Sequence, residues 1–256
     1  MNFDLLTLKM AVIAVDDTVP ALLREAAGMA PVPIEVVSFG VGEAAPARDL
    51  LADGVDMLFL DGDLTSGDRQ SLVAAARAGK ESTVVVRIGA PAAGGEASGD
   101  EADAVLEKPI DARKACALVE CCARARVPNR VLVVDDSPTV RSIVRKMMRV
   151  SRFSLTTEET DEGAAALDLV RSGRFDIVFL DCNMPGLDGF ATLTEIRRNH
   201  PDIATVMMTG TPDQAIAARA RAAGAKGFLF KPFFPKDIDA VLHGLFGLNA
   251  PRAARA

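Results

Sequence analysis

Residues far apart in the chain combine into a chemistry that none of them carries alone. They are the adjacent acids Asp135 and Asp136, the acid Asp181, the hydroxyl of Thr209 and the ammonium of Lys231. Carboxylates gathered in one place repel unless they are protonated or neutralised by a cation. An all-oxygen, carboxylate-rich site suits a hard divalent ion, Mg2+ foremost. A divalent ion, an ammonium and a hydroxyl donor together suit a phosphoryl group, whose charge must be met from several sides. Beside such an ion, Asp181 can serve as a carboxylate nucleophile and form an aspartyl phosphate. Alone, Asp181 would read as a turn-initiating acid at a strand end.

The elements around these residues give the grouping a reason. Ile177 to Leu180 is an apolar run that meets Asp181, and the loop Cys182-Asn183-Met184-Pro185-Gly186-Leu187-Asp188-Gly189 cannot continue a strand. Val131 to Val134 runs likewise into Asp135-Asp136, Ala204 to Met208 into Thr209, and Gly227 to Phe230 into Lys231-Pro232. In an open parallel sheet the carboxyl ends of strands lie along one edge, where ligands bind. Helix signals fall between the strands. Ser137 is a candidate N-cap with Pro138 at the first helical position, and helices are expected over Pro138–Val150, Asp161–Ser172, Phe190–Asn199, Pro212–Ala223 and Pro235–Phe246. Alternating strands and helices predict an α/β fold with helices on both faces of a parallel sheet.

On these residues, 131–248 resembles the receiver domain of two-component response regulators of the chemotaxis-regulator (CheY-like) type. The resemblance implies that Asp181 is the phospho-acceptor and that Asp135, Asp136, Asp181 and the Asn183 carbonyl hold Mg2+. It implies that Thr209 and Lys231 meet the phosphoryl oxygens, and that Phe228 stands where the family often has an aromatic switch residue. An ordinary core Phe is the competing reading for Phe228.

The same pattern occurs earlier in the chain. Met10 to Val15 runs into Asp16-Asp17, Met57 to Leu60 into Asp61, and Val105 to Glu107 into Lys108-Pro109. This internal repeat predicts two doubly wound, five-stranded parallel sheets in tandem. The expected boundaries are residues 1–126, a linker over 127–130, residues 131–248 and a loose tail over 249–256. The first half departs from the pattern. Its fourth strand, Thr83 to Ile88, puts Ile88, or Arg87 with a one-residue slip, in the place of Thr209. Three glycines and a Pro over Ala90–Asp103 make a fourth helix doubtful, and Met-Pro is missing after Asp61. Asp16, Asp17, Asp61 and Lys108 remain, so this half is expected to retain Mg2+ binding without the hydroxyl-coupled switch. It reads as a degenerate receiver with a structural or partner-binding role, with low phosphorylation of Asp61 as the competing reading.

Net charge of −6 argues against sequence-independent nucleic-acid binding. The sequence lacks a long apolar span and a signal-peptide pattern, so a cytoplasmic protein without membrane insertion is expected. Cys116, Cys121, Cys122 and Cys182 show no metal-thiolate spacing and read as small buried or half-buried residues. By the resemblance, a sensor histidine kinase or phosphotransfer protein is the phosphodonor. The output is a downstream protein on the face of the fourth helix, fifth strand and last helix, and homodimerisation is left open. The chain is then a phospho-acceptor rather than an enzyme. A phosphate sink and an unphosphorylated interaction module are the alternatives. A less favoured reading is a haloacid-dehalogenase-type phosphatase on Asp61-Gly62-Asp63 with Thr65, whose metal acids would follow the nucleophile strand rather than precede it.

Overall fold

The computed structural model describes residues 6–89 and 102–248. The chain divides into two compact units, Val127–Leu245 and the residues up to Arg126 together with those from Phe246. Phe246 to Leu248 therefore group with the first unit, although the sequence suggested the end of the second. The expected linker is shorter too, because Asn129 and Arg130 already belong to a strand.

The first unit runs β1 (Leu8–Ala14), α1 (Thr18–Gly28), β2 (Ile34–Gly40), α2 (Ala44–Ala52), β3 (Met57–Asp61), α3 (Ser66–Gly79), β4 (Val84–Ile88), β5 (Ala104–Leu106) and α4 (Ala112–Arg126). The second runs β6 (Asn129–Val134), α5 (Pro138–Arg149), β7 (Leu155–Thr160), α6 (Gly163–Ser172), β8 (Ile177–Asp181), α7 (Gly189–Asn199), β9 (Ala204–Thr209), α8 (Gln214–Ala222), β10 (Gly227–Phe230) and α9 (Pro235–Leu245). Each unit holds a five-stranded sheet, in the orders β2-β1-β3-β4-β5 and β7-β6-β8-β9-β10. Every pairing is parallel. The doubtful fourth helix of the first half and the tail after Leu248 lie outside the described residues.

The central strands read as unbroken apolar runs because both faces are covered. In β8 every residue from Ile177 to Asp181 is buried. Leu132, Val134, Val178 and Leu180 pack with Leu193, Ile196 and Met207 on one side. Phe179, on the alternate face, is fully buried. Truncation of such a side chain costs about 3–5 kcal/mol, so the strand that ends in Asp181 is held rigidly.

Helix starts follow local chemistry. The Ser137 hydroxyl accepts from the Val140 N–H at 3.4 Å with Pro138 in the first turn. Asp188 and Asp213 accept from Ala191 and Ala215, both at 2.8 Å. Asp213 thus caps α8, leaving Pro212 before the helix. α6 begins at Gly163, so Asp161 and Glu162 precede it rather than fill its first turn. A Cβ at Gly163 would lie 2.3 Å from Thr192 Oγ1 and 2.6 Å from the Leu187 carbonyl oxygen, so α6 and the loop before α7 approach there as only glycine permits. Among the described residues, no helix is long and apolar enough to cross a membrane.

Candidate functional site

In the second unit the expected residues meet at the carboxyl edge of the sheet. Asp181 ends β8 and Asp135 follows β6, both buried, and Asp136 beside them is exposed. One carboxylate oxygen from each lies within 4.8 Å of the others. Lys231, just past β10, reaches in between them, with Nζ 2.5 Å from Asp135 Oδ2 and 2.8 Å from Asp181 Oδ1. The Ser137 N–H donates to Asp135 Oδ1 at 3.0 Å. Behind β8, a Cβ on Gly189 would fall 2.1 Å from the Asp181 carbonyl oxygen. Only glycine lets α7 start against that backbone.

The charges respond to this crowding. Burial pushes the Asp181 carboxyl above its ordinary value, and the Asp135 charge adds to it, against the opposing pull of Lys231 and of the Asn183 backbone N–H. Burial disfavours the Lys231 ammonium, but its hydrogen bonds to Asp135 and Asp181 outweigh burial and raise its pKa. The acids therefore outnumber the one ammonium that bridges two of them, and all their free ligands are oxygens. That donor set fits a hard divalent cation such as Mg2+.

Thr209 ends β9 and is fully buried, its Oγ1 accepting from the Thr211 N–H at 3.2 Å. Its carbonyl accepts from the Lys231 N–H at 2.7 Å, which ties the hydroxyl-bearing strand end to the lysine. Phe228 is half-buried, packs against the core, and meets the Phe230 ring edge-on at 5.0 Å. A cavity of about 330 Å³ opens beside the loop that follows β8, lined by Cys182, Asn183, Phe190 and Arg219 among others. The Arg219 guanidinium covers the Phe190 ring at 3.9 Å.

The family model described as "Response regulator receiver domain" matches residues 131–243. Chemotaxis protein CheY-3 of Vibrio cholerae is 34% identical over 119 residues, 46% of this chain and 91% of that protein. The chain belongs to the response regulator receiver family. Chemotaxis protein CheY of Pseudomonas aeruginosa is 33% identical over 121 residues, 46% of this chain and 95% of that protein. A solved structure described as a probable two-component system response regulator/GGDEF domain protein covers 94% of this chain and 98% of its own at a TM-score of 0.51 and 20% identity, a likeness of fold. The second unit is thus a receiver by sequence, and the first repeats its sheet order.

Strand register corrects the sequence-based matching of the two halves. Ile13 pairs with Leu60 as Val134 pairs with Leu180, and Asp61 pairs with Ile88 as Asp181 pairs with Met208. The places of Asp135 and Asp136 are therefore taken by Ala14 and Val15, and the place of Thr209 by Gly89 rather than by Ile88 or Arg87. Asp16 and Asp17 lie two residues further on, at the start of α1. Asp16 Oδ1 accepts from the N–H groups of Thr18 at 2.9 Å and Val19 at 3.4 Å, the work that Ser137 does in α5. Gly89 has φ +83°, a left-handed backbone that a threonine would strain.

What remains is Asp61, fully buried, with Lys108 Nζ 2.9 Å away and also 3.1 Å from Asp63. The Val15 N–H donates to Asp61 Oδ2 at 3.3 Å. Among the described residues, the group of acids placed to share a metal is Asp135, Asp136 and Asp181, so the expected retention of a Mg2+ site by Asp16, Asp17 and Asp61 does not follow from the geometry. In the phosphatase-like stretch, Thr65 Oγ1 accepts from the Asp68 N–H at 3.1 Å and caps α3. Sequence reading also passed over Arg141, which reaches back from α5 to the loop that carries the acids. A cation one helical turn beyond an acid pair was the available signal.

Proposed function

We propose that the second receiver accepts a phosphoryl group on Asp181 from a sensor histidine kinase or a phosphotransfer protein and passes the event on by protein–protein contact. The observation that carries this reading is the convergence of Asp135, Asp136 and Asp181 within 4.8 Å, with Lys231 bridging two of them. A carboxylate oxygen of Asp181 attacks phosphorus, the bond from phosphorus to the donor imidazole nitrogen breaks, and that nitrogen keeps the electron pair. Asp135, Asp136, Asp181 and the Asn183 carbonyl would hold Mg2+, which neutralises the acids and the phosphoryl oxygens when bound. Lys231 and the Thr209 hydroxyl supply the remaining cation and donor for those oxygens.

The new group brings about −2 charge into a water-poor crevice. Thr209 and Lys231, linked through their backbone, shift toward it, and Phe228 on β10 carries the change to the face formed by α8, β10 and α9. A downstream protein reads that face. The first unit serves as an unphosphorylated interaction module: Ala14, Val15 and Gly89 hold the places of the metal acids and the hydroxyl, and Lys108 already neutralises Asp61. We assign the chain to the cytoplasm on its likeness to chemotaxis regulators.

Intact-mass measurement after incubation with acetyl phosphate and Mg2+ tests this. One phosphoryl addition is expected, kept in Asp61→Asn and lost in Asp181→Asn. A second addition, lost in Asp61→Asn, would make the first unit an acceptor. Absence of any addition, from acetyl phosphate and from histidine kinases alike, would leave the interaction module as the reading for both units.

A further inference from the structure

We infer that Arg141, held by Glu159, is a positioning residue for the Mg2+ site, fixing the strand end that presents Asp135 and Asp136; this rests on the phospho-acceptor reading above. Arg141 leaves the first turn of α5 and turns back. Its Nη1 donates to the Asp135 carbonyl oxygen at 2.6 Å. Its Nε lies 3.4 Å from Glu159 Oε2 on β7, and the other oxygen of that carboxylate lies 2.8 Å from Arg145 Nη1. The Arg141 side chain is 17% exposed. The carbonyl it grips belongs to the residue whose carboxylate meets Lys231, and the next residue is Asp136. A guanidinium has a rigid planar fork, so one arm can hold the carbonyl while another is fixed by Glu159. The Asp135 N–H donates to the Thr160 carbonyl of the edge strand at 3.2 Å, so the grip of Arg141 on the carbonyl is a second anchor of the same residue.

The first unit supplies an internal control. By register, Arg141 corresponds to Pro20, Glu159 to Ser38 and Arg145 to Arg24. Arg24 is retained and still bonds the strand residue facing it, Ser38, at 3.3 Å. The Arg145 contact is thus a helix-to-strand tie that this fold uses with or without a metal site. The Arg141–Glu159 pair is absent in the unit where the acids are replaced by Ala14 and Val15. Clamp and acids occur together, which sets the clamp apart from general helix packing.

The test compares Mg2+ affinity of the whole chain by calorimetric titration in wild type, Arg141→Ala, Arg141→Lys, Glu159→Gln and Arg145→Ala. Melting without metal is recorded beside each. Removing a cation near a cation site strengthens Mg2+ binding by simple charge, whereas loss of a supporting contact behind metal ligands weakens it about 10- to 100-fold. The two effects oppose each other in Arg141→Ala, so the sign decides. Expected results are Mg2+ affinity at least about tenfold weaker in Arg141→Ala, partial recovery in Arg141→Lys, and weakening in Glu159→Gln. Arg145→Ala should lower the melting temperature while binding Mg2+ as tightly as wild type or more so. Unchanged or tighter binding in Arg141→Ala overturns the positioning role, as does a loss in Arg145→Ala as large as in Arg141→Ala. If wild type and every variant bind no Mg2+, the phospho-acceptor reading itself fails.

Discussion

Replacing Lys231 with methionine keeps the length of the side chain and removes the ammonium, leaving Asp135, Asp136 and Asp181 without their bridging cation. Lys231 Nζ sits 2.5 Å from Asp135 and 2.8 Å from Asp181, with side chains 20%, 0% and 6% exposed respectively. Removing one partner of a buried ion pair costs about 3–5 kcal/mol, because the other is left charged and desolvated. The partial exposure of Lys231 favours the lower end, about 3 kcal/mol, or roughly 10 °C at about 3–4 °C per kcal/mol for a unit of this size. Because the penalty is electrostatic, charge should reverse it. Mg2+ at about 100 times its dissociation constant stabilises the native state by about 2.7 kcal/mol, and it should stabilise Lys231→Met more than wild type, since no ammonium competes for the acids. Adding Asp181→Asn to Lys231→Met should raise stability above that of Lys231→Met alone. The deficit should also shrink as pH falls and Asp181, held above its ordinary value, takes up a proton. Hydrogen exchange of β6 and β8 peptides across a urea series, with and without Mg2+, reports on this unit by itself. A metal-free deficit under about 1 kcal/mol, below the penalty of an unpaired buried charge, or equal Mg2+ stabilisation of both proteins, would refute the reasoning.

Other outcomes follow from single residues. Gly189→Ala drives a Cβ to 2.1 Å from the Asp181 carbonyl oxygen, so it should cost about 3 kcal/mol, at the upper end for overpacking, and reduce phosphoryl incorporation, read by urea unfolding and intact mass. Burial pushes the Cys182 thiol up to about 11 and raises Cys121 and Cys122 as well, so maleimide labelling near neutral pH should modify half-buried Cys116 first and leave buried Cys122 and Cys182 until last, mapped by peptide mass. Hydrogen bonds from Thr18 hold the exposed Asp16 carboxylate below its ordinary value. A lowered folded-state value stabilises above the unfolded value and is lost as pH falls through the lowered one. Asp16→Ala should therefore lower the melting temperature at neutral pH, less so in acid, while Mg2+ stoichiometry stays unchanged.

Much of the second receiver was legible from residue order. Apolar runs ending in Asp135, Asp181 and Thr209 each announce a strand buried on both faces, whereas the run ending in Lys231 forms the half-buried edge strand β10, and a parallel sheet puts all these ends on one edge. Capping chemistry marked α5 at Ser137-Pro138. It did not mark α6, because the acids of Asp161-Glu162 look like a first turn while the helix waits for Gly163, the one residue that fits against Thr192 and Leu187. Pro212 resembled a helix start for a similar reason, until Asp213 took the cap.

The first unit shows where sequence alone misleads. Asp16-Asp17 after an apolar run looks like Asp135-Asp136 after another, and only the pairing of Ile13 with Leu60 and of Val134 with Leu180 reveals a displacement of two residues. Displacement by two carries the acids onto the start of α1, where Asp16 accepts from the backbone N–H groups of Thr18 and Val19 and no metal-sharing group with Asp61 forms among the described residues. The missing hydroxyl was evident from composition, but its place at Gly89 was not. By itself the sequence determined that the fold is duplicated, which edge gathers the polar groups and which half keeps its full set, because residue type and order govern strand burial. Tertiary structure decided which acids meet, that Lys108 stands against Asp61 and Asp63, and that Arg141 grips the Asp135 carbonyl, because register and side-chain reach between distant segments are set only when the sheets pair.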